Sequence, residues 1–445
     1  MTSGVISLEL NELNMELVEA YAESENLENF RWLLTGCRRW HTRAEEDYER
    51  LEPWIQWVTA HTGKSFAQHG IFRLGDIRDS AIEQIWESVE KLGGTVGAVS
   101  PINSANRTSN AEFFVPDPWT DSPVTGSWDL RLLHEGVHEA VNENATGSTT
   151  ALSYLKLLLG ASANLPRKRM LSHALFMGRA VRNSRQRAVC LDVLLAEAFI
   201  RHWTASKPTY ASLFLNAAAH LQHHYMFNSK HYRGGHSNPP WYIADEDPFE
   251  VLYTKYDEVL GWVRHLAETN GARLLVCTGL GQAPNPNLIF YYRPKQHGLL
   301  LERLGISGVT EVHPRMSRDF LVEFQDTAAA KSAESVLLSV QTAEAEPFFA
   351  VDNRGPSLFV QVCHTRELHA DTEIRIGDRR LPGLSSMFAH VSIENAIHSP
   401  LGAFFDCSLP PLAEAEEVPL EFTHGYTLQA ARAATDRVSL GAPRS

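Results

Sequence analysis

The sequence predicts an α/β protein, a mostly parallel β-sheet with helices on both faces. Three observations carry this reading. Short apolar, β-branched runs alternate with stretches of helical periodicity along most of the chain. Several of the runs are apolar without interruption, as strands covered on both sides are. Glycine-bearing segments such as Thr278-Gly279-Leu280-Gly281 follow the runs directly.

Residues 4–10 begin β-branched and alternating, and predict a first strand. Residues 12–21 space Leu13, Met15, Leu17, Val18 and Tyr21 as a helix does. Residues 82–91 are helix-like, Gly93-Gly94 breaks the pattern, and 95–100 reads as a buried strand. The stretch from about 120 to 200 is helical in pattern and contains no convincing strand. Residues 210–215 form a short apolar strand leading into a His-rich helix at 217–225. Residues 249–268 are amphipathic, and 273–277 is another buried strand. From 310 to 395 the character changes: strands at 320–324, 348–351 and 357–362 with a helix at 327–338 predict a compact α+β insertion. The expected organisation is a core of residues 1–305 and 396–435 with a helical insertion at about 120–200, the α+β insertion at 310–395, and a loose tail at 436–445. In sheets of this kind ligands sit beyond the C-terminal ends of the strands.

The 445 residues are long enough for one large α/β domain with insertions and a sizeable core. With 40 Lys and Arg against 53 Asp and Glu, the net charge is −13, which argues against nucleic acid as a general partner. The Arg167-Lys168-Arg169 cluster is short and reads as a solvated turn. Five scattered cysteines without a CxxC pair point to a reducing compartment and exclude a Cys-based zinc site. Histidine, at 20 residues, is the excess, so His with carboxylate is the metal chemistry the composition favours. No apolar run is long enough to span a bilayer and no signal peptide is evident. The expectations are a cytoplasmic protein without a membrane partner.

Five segments carry candidate chemistry. Glu9 ends the first strand, where a carboxylate points either into the ligand crevice or merely complements a helix start. Glu52, with Pro53 after it and Gly63 eleven positions on, occupies an N-cap region, as a capping acid, a ligand or a reacting group. Arg73 follows in the nearby His69-Gly70-Ile71-Phe72-Arg73 segment. His220 and His224 share a helix face and could grip one cation, with Asn216 joining from the strand end; His223, His231 and His236 are close in sequence. His398 is an isolated His before Gly402. His134-Glu135-Gly136-Val137-His138 matches the H-E-x-x-H metalloprotease pattern, with Glu143, Asp192 or Glu197 as third ligands, though none lies in a third-ligand motif.

In this order the fragments resemble the alkaline phosphatase superfamily, in its type I phosphodiesterase/nucleotide pyrophosphatase branch. The resemblance rests on Glu9, the 52–63 helix with His69-Gly70-Ile71, Asn216 to His220, the Thr278-Gly279-Leu280-Gly281 loop, and His398 with Gly402. It implies an alkaline phosphatase-like fold and a hydrolase with metal ions at the strand ends. The departures are specific. Leu51, Glu52 and Pro53 stand where the branch carries a Thr or Ser nucleophile. Gly279 and Leu280 replace an Asp-His ligand pair, which dismantles one of two metal sites. An Asn that binds phosphate becomes Arg73 or Leu74.

The resemblance therefore implies one divalent metal ion, zinc in the first place, with iron or manganese as alternatives. Glu9, Asn216, His220 and His398 would bind it, and His223 or His224 could replace a missing ligand. Glu52 would act as base or further ligand, and Arg73 would clamp an anion. The expected activity is hydrolysis or transfer on a small anionic phosphoester or sulfoester, with the insertion as a lid. The competing readings are a catalytically inactive binding module, a non-haem iron oxidative enzyme on the same scaffold, and the metalloprotease.

Overall fold

The computed structural model of the chain describes residues 4–146, 151–244, 246–314, 318–377 and 379–441. Its main sheet draws on β1 (Val5–Leu10), β2 (Arg38–Arg43), β3 (Val96–Val99), β4 (Ala111–Val115), β5 (Tyr210–Leu215) and β6 (Arg273–Cys277). The chain then leaves along β7 (Gly281–Pro294). It builds β8 (Val309–Pro314), β9 (Asp319–Phe324), β10 (Val340–Thr342), β11 (Phe349–Asn353), β12 (Ser357–Val362), β13 (Ile374–Ile376) and β14 (Arg379–Arg380). It returns along β15 (Phe388–Ser399) and completes the main sheet with β16 (Leu401–Asp406) and β17 (Glu416–Pro419). The eight strands lie in the order β17-β2-β16-β6-β1-β5-β3-β4. The β1, β3, β4, β5 and β6 pairings are parallel, β17 is parallel to β2, and β16 runs antiparallel to both β2 and β6. The fold class is thus α/β with a mostly parallel sheet.

The helices are α1 (Met15–Ser24), α2 (Glu28–Gly36), α3 (Pro53–Thr62), α4 (Phe66–His69), α5 (Ile85–Lys91), α6 (Trp128–Thr146) and α7 (Ala151–Asn164). They continue with α8 (Met170–Arg182), α9 (Arg185–Ser206), α10 (Ala217–Tyr225), α11 (Phe249–Asn270), α12 (His297–Arg303), α13 (Thr327–Leu338) and α14 (Phe422–Gly441). The two-residue period of β1 divides them between the faces of the sheet. Ile6, Leu8 and Leu10 pack with Leu17, Phe30, Phe199 and Tyr253 from α1, α2, α9 and α11. Val5 turns the other way, toward Trp57, Val89 and Ala431 from α3, α5 and α14. Every residue of β1 is buried, as a central parallel strand requires.

A second core lies outside the main sheet. Phe290, Phe320, Leu337, Phe348, Leu358 and Ile393 are among its buried members. The four-stranded antiparallel sheet β11-β12-β9-β8 and the three-stranded β10-β13-β14 surround it. The antiparallel β7–β15 ribbon joins it to the main sheet, running from Pro294 opposite Phe388 back to Gly281 opposite Ser399. The ribbon returns the chain to the C-terminal edge of the parallel strands. Helix α14 extends through residues 436–441, where the sequence suggests a loose tail; residues 442–445 lie outside the described residues.

Candidate metal centre

The site grows from the turn after β1. Glu12 takes a left-handed backbone conformation, φ 56°, and its amide donates to the Thr278 carbonyl at 3.1 Å, just past β6. Its own carbonyl accepts from Gln222 Nε2 at 2.7 Å. This fixed turn places the Glu12 carboxylate at the sheet's C-terminal edge with only 2% of the side chain exposed. Two imidazoles face it. His223, on α10, brings Nε2 to 3.3 Å from Glu12 Oε2, and His398, near the end of β15, brings Nε2 to 3.2 Å. The two Nε2 atoms are 3.2 Å apart.

The surroundings hold these three side chains in place. His223 Nδ1 lies 3.1 Å from the Ala396 carbonyl, so it donates there and leaves Nε2 turned to the carboxylate. Gln282 Nε2 donates to Glu12 Oε2 at 2.6 Å, and Asn11 Nδ2 donates to Oε1 at 3.0 Å. Asn11 is set in turn by Trp57 Nε1, which donates to its Oδ1 at 2.7 Å. Burial alone would raise the Glu12 pKa. The charges and hydrogen bonds of His398 and His223 outweigh it and hold the carboxyl well below the usual carboxylate range. Conversely, burial would lower His398, and the Glu12 carboxylate raises it above the ordinary imidazole value.

One oxygen and two nitrogens, all within 4.8 Å of one another, are the donors a borderline divalent cation takes. Gln282 Oε1, beside them, is buried without a partner among the described residues. Without a cation, two Nε2 atoms crowd one carboxylate oxygen; a shared ion satisfies all three. The residues present therefore fit a bound metal.

Glu52 stands next to this group. It is the N-cap of α3, makes no side-chain cap bond, and its Oε2 lies 3.7 Å from His398 Nδ1. Burial raises its pKa, although His398 opposes the shift. The hydroxyls along α3 are committed elsewhere: Thr62 Oγ1 donates to the Val58 carbonyl at 2.7 Å, and buried Thr59 Oγ1 lies 3.2 Å from His69 Nε2. Arg73 is exposed. Asn103 Nδ2 donates both to its carbonyl, at 3.3 Å, and to that of Trp54, at 2.8 Å, which ties the Arg73 segment to the first turn of α3.

The other sequence-predicted ligands lie elsewhere. Glu9 is inside β1 on the α3 face, where its Oε2 pairs with His61 Nε2 at 3.2 Å and both side chains are buried. The carboxylate at the strand end is Glu12, three residues later, so the expectation of Glu9 in the crevice is corrected. Asn216 accepts at Oδ1 from Asn11 Nδ2 at 2.8 Å, one hydrogen bond removed from Glu12. His220 is not among the three converging side chains; its ring packs against His224, centroids 4.7 Å apart. It is open to solvent.

The H-E-x-x-H pair forms no three-ligand group among the described residues. His134 and His138 stack on α6, 5.9 Å apart, and His138 Nδ1 lies 2.7 Å from the Pro118 carbonyl. Glu197 is taken by Arg169 and His173, and Asp192 by Tyr256 and the Ala217 amide. The Glu143 side chain lies outside the described residues. His231 and His236 line a separate pocket of about 440 Å³ with Asn14, Arg233 and Asn285. Asn14 Nδ2 donates to the Gln282 carbonyl at 2.7 Å, which connects that pocket's wall to the centre.

No protein-family model and no curated protein matches the chain. Solved structures with a similar course of chain include phosphonoacetate hydrolase from Sinorhizobium meliloti 1021 in complex with phosphonoformate. It is 12% identical, with 96% of this chain and 95% of that one covered and a TM-score of 0.43. Murine ectonucleotide pyrophosphatase/phosphodiesterase 5 is 12% identical over 96% and 95% of the two chains, with a TM-score of 0.42. The human protein of that name is 10% identical over 96% and 94%, also with a TM-score of 0.42. Likenesses at these values transfer no residue role, and the site is argued from this chain's own geometry.

Proposed function

We propose that the chain is a single-metal hydrolase, or a transferase of the same chemistry, acting on a small anionic phosphoester or sulfoester. The observation that carries the reading is the convergence of Glu12, His223 and His398 on one point at the strand ends, with Glu52 at its rim. These three residues would hold one divalent ion, zinc or alternatively iron or manganese. Two neutral imidazoles and one carboxylate leave a divalent ion with net positive charge, which suits an anionic substrate. Bound there, the metal would supply Lewis-acid polarisation of a phosphoryl or sulfuryl oxygen.

The protein's own groups do the rest. With Glu52 standing at the α3 N-cap, where the resemblance expects a Thr or Ser nucleophile, the attacking group is water, not a side chain. Glu52 accepts the water's proton as its oxygen bonds to phosphorus or sulfur, the bond to the leaving oxygen breaks, and that oxygen takes a proton from solvent. Arg73 clamps the substrate's non-bridging oxygens.

The test is turnover of aryl phosphodiesters and aryl sulfates by purified protein, with and without added zinc, manganese or iron. Metal-dependent release of the phenol supports the reading. No turnover with any metal, and no metal retained, would favour a binding module. A second reading is favoured by the donor set itself. Two His and one carboxylate also suit Fe(II), and iron retention with dioxygen consumption would move the chemistry to oxidation.

A further inference from the structure

Helix α8 is apolar on two opposite sides. Its inner side buries His173, Phe176 and Ala180. At about 100° per residue, positions 171, 174, 175, 178 and 181 fall on the opposite side. There Leu171, Leu175 and Val181 are 73%, 60% and 72% exposed, with Ala174 and Gly178 exposed between them. A helix apolar all round belongs inside a protein or against another apolar phase.

Charge identifies the phase. Residues 145–191 contain eight Lys or Arg and no Asp or Glu, in a chain whose net charge is −13. Lys156 is paired with Glu135 and Glu139, Arg169 with Glu197, and Arg185 with Glu246. Arg187 binds the Ala180 and Val181 carbonyls at the end of α8. The four that remain, Arg167, Lys168, Arg179 and Arg182, are exposed and have no acidic partner among the described residues. They lie on α8 or just before it, and Arg182 sits within the apolar strip, between the directions of Leu171 and Leu175.

We propose that α8 docks in the plane of an anionic lipid bilayer surface. Leu171, Leu175 and Val181 enter the interface, and Arg167, Lys168, Arg179 and Arg182 meet lipid phosphates. A second copy of the chain fits this face poorly. Whether the two helices run parallel or antiparallel, a two-fold contact along the strip would bury Arg182 against a face that carries no acid. No helix among the described residues is long and apolar enough to cross a membrane, so the contact is peripheral. The expectation of no membrane partner rests on spanning segments, which a helix lying in the interface does not need. This inference is independent of the metal centre.

Sedimentation of the full chain with vesicles tests it. The protein is expected to pellet with phosphatidylcholine vesicles containing phosphatidylglycerol, not with phosphatidylcholine alone, and to be released by high salt. Arg179→Glu with Arg182→Glu should weaken the partition at least about tenfold, since each cation contributes about fivefold. Leu171→Ser with Leu175→Ser should abolish it. All four side chains are exposed, so the melting temperature should stay unchanged and show that both variants fold. No binding to the anionic vesicles, or equal binding by the variants, would overturn the proposal. So would a wild-type dimer in gel filtration that the leucine variant dissolves.

Discussion

Glu12 Oε2 and His398 Nε2 lie 3.2 Å apart, one from the turn after the first strand and the other from the strand that returns from the second core. Neither residue is near the other in sequence, and the β7–β15 ribbon is what brings them together. Because Ser399 pairs with Gly281 at the ribbon's base, His398 sits beside Gln282, which also holds Glu12. The contact depends on ribbon register. A one-residue slip would turn His398 to the other side of β15.

In the proposed mechanism Glu52 moves the proton. Glu52→Gln keeps the size and the N-cap position but removes the base. We expect a fall in kcat of about 10²- to 10⁴-fold, with metal content unchanged. Steady-state kinetics on an aryl phosphodiester, beside elemental analysis of the same sample, checks both halves. A variant with wild-type turnover would remove Glu52 from the mechanism.

Asp406 anchors the far end of β16. Its side chain is fully buried and paired with Arg273, and it accepts from Tyr426 Oη and Ser408 Oγ at 2.7 Å each. Burial would raise its pKa, but the Arg273, Tyr426 and Ser408 hydrogen bonds together lower it. A carboxylate depressed in the folded state contributes stability above its unfolded pKa and loses it as pH falls through the folded value. Wild-type stability should therefore decline below about pH 4, the ordinary Asp range. Asp406→Ala should cost about 3 kcal/mol at pH 7, the low end for a broken buried pair because Arg273 keeps partial access to water. The difference between the two proteins should shrink on acidification. Urea unfolding at pH 7 and pH 3 measures it, and a pH-independent difference would contradict the account.

Gly279, in the loop after β6, has φ 71°, and a Cβ there would stand 2.8 Å from the Trp57 ring. Gly279→Ala should cost about 2 kcal/mol or more, from left-handed backbone strain and displacement of Trp57. Trp57 donates to Asn11, which donates to Glu12, so metal affinity should fall as well. Thermal melts and metal titration report the two effects. An unchanged melting temperature would show that the loop relaxes freely.

The parallel strands β1, β3, β5 and β6 were legible because each is a short, largely apolar run, whereas β4, with Glu112 inside it, and the polar β2 and β17 were not. The α13 helix was legible from its periodicity. The His-rich α10 helix could be singled out by residue type, while His398, an isolated histidine, was picked out only through the family resemblance. The pairing of β15 with β7 and the antiparallel entry of β16 were not legible, because partners so far apart in sequence leave no local pattern. Glu12 was missed for a related reason. Glu9 and Glu12 are both acids near a strand end, and only the Glu12 turn, locked by the Thr278 carbonyl and Gln222, decides which one reaches the edge. Choosing His220 over His223 reversed the faces of α10: the Ala396 carbonyl fixes His223 toward Glu12, while His220 packs with His224.

The central claim is that Glu12, His223 and His398 hold one divalent ion. Its most direct test is elemental analysis of purified wild-type protein beside Glu12→Gln and Glu9→Gln variants. The account predicts close to one equivalent of metal in the wild type, its loss in Glu12→Gln, and its retention in Glu9→Gln, whose side chain pairs with His61 and Ser7 inside the core. Metal retained in Glu12→Gln and lost in Glu9→Gln would contradict it.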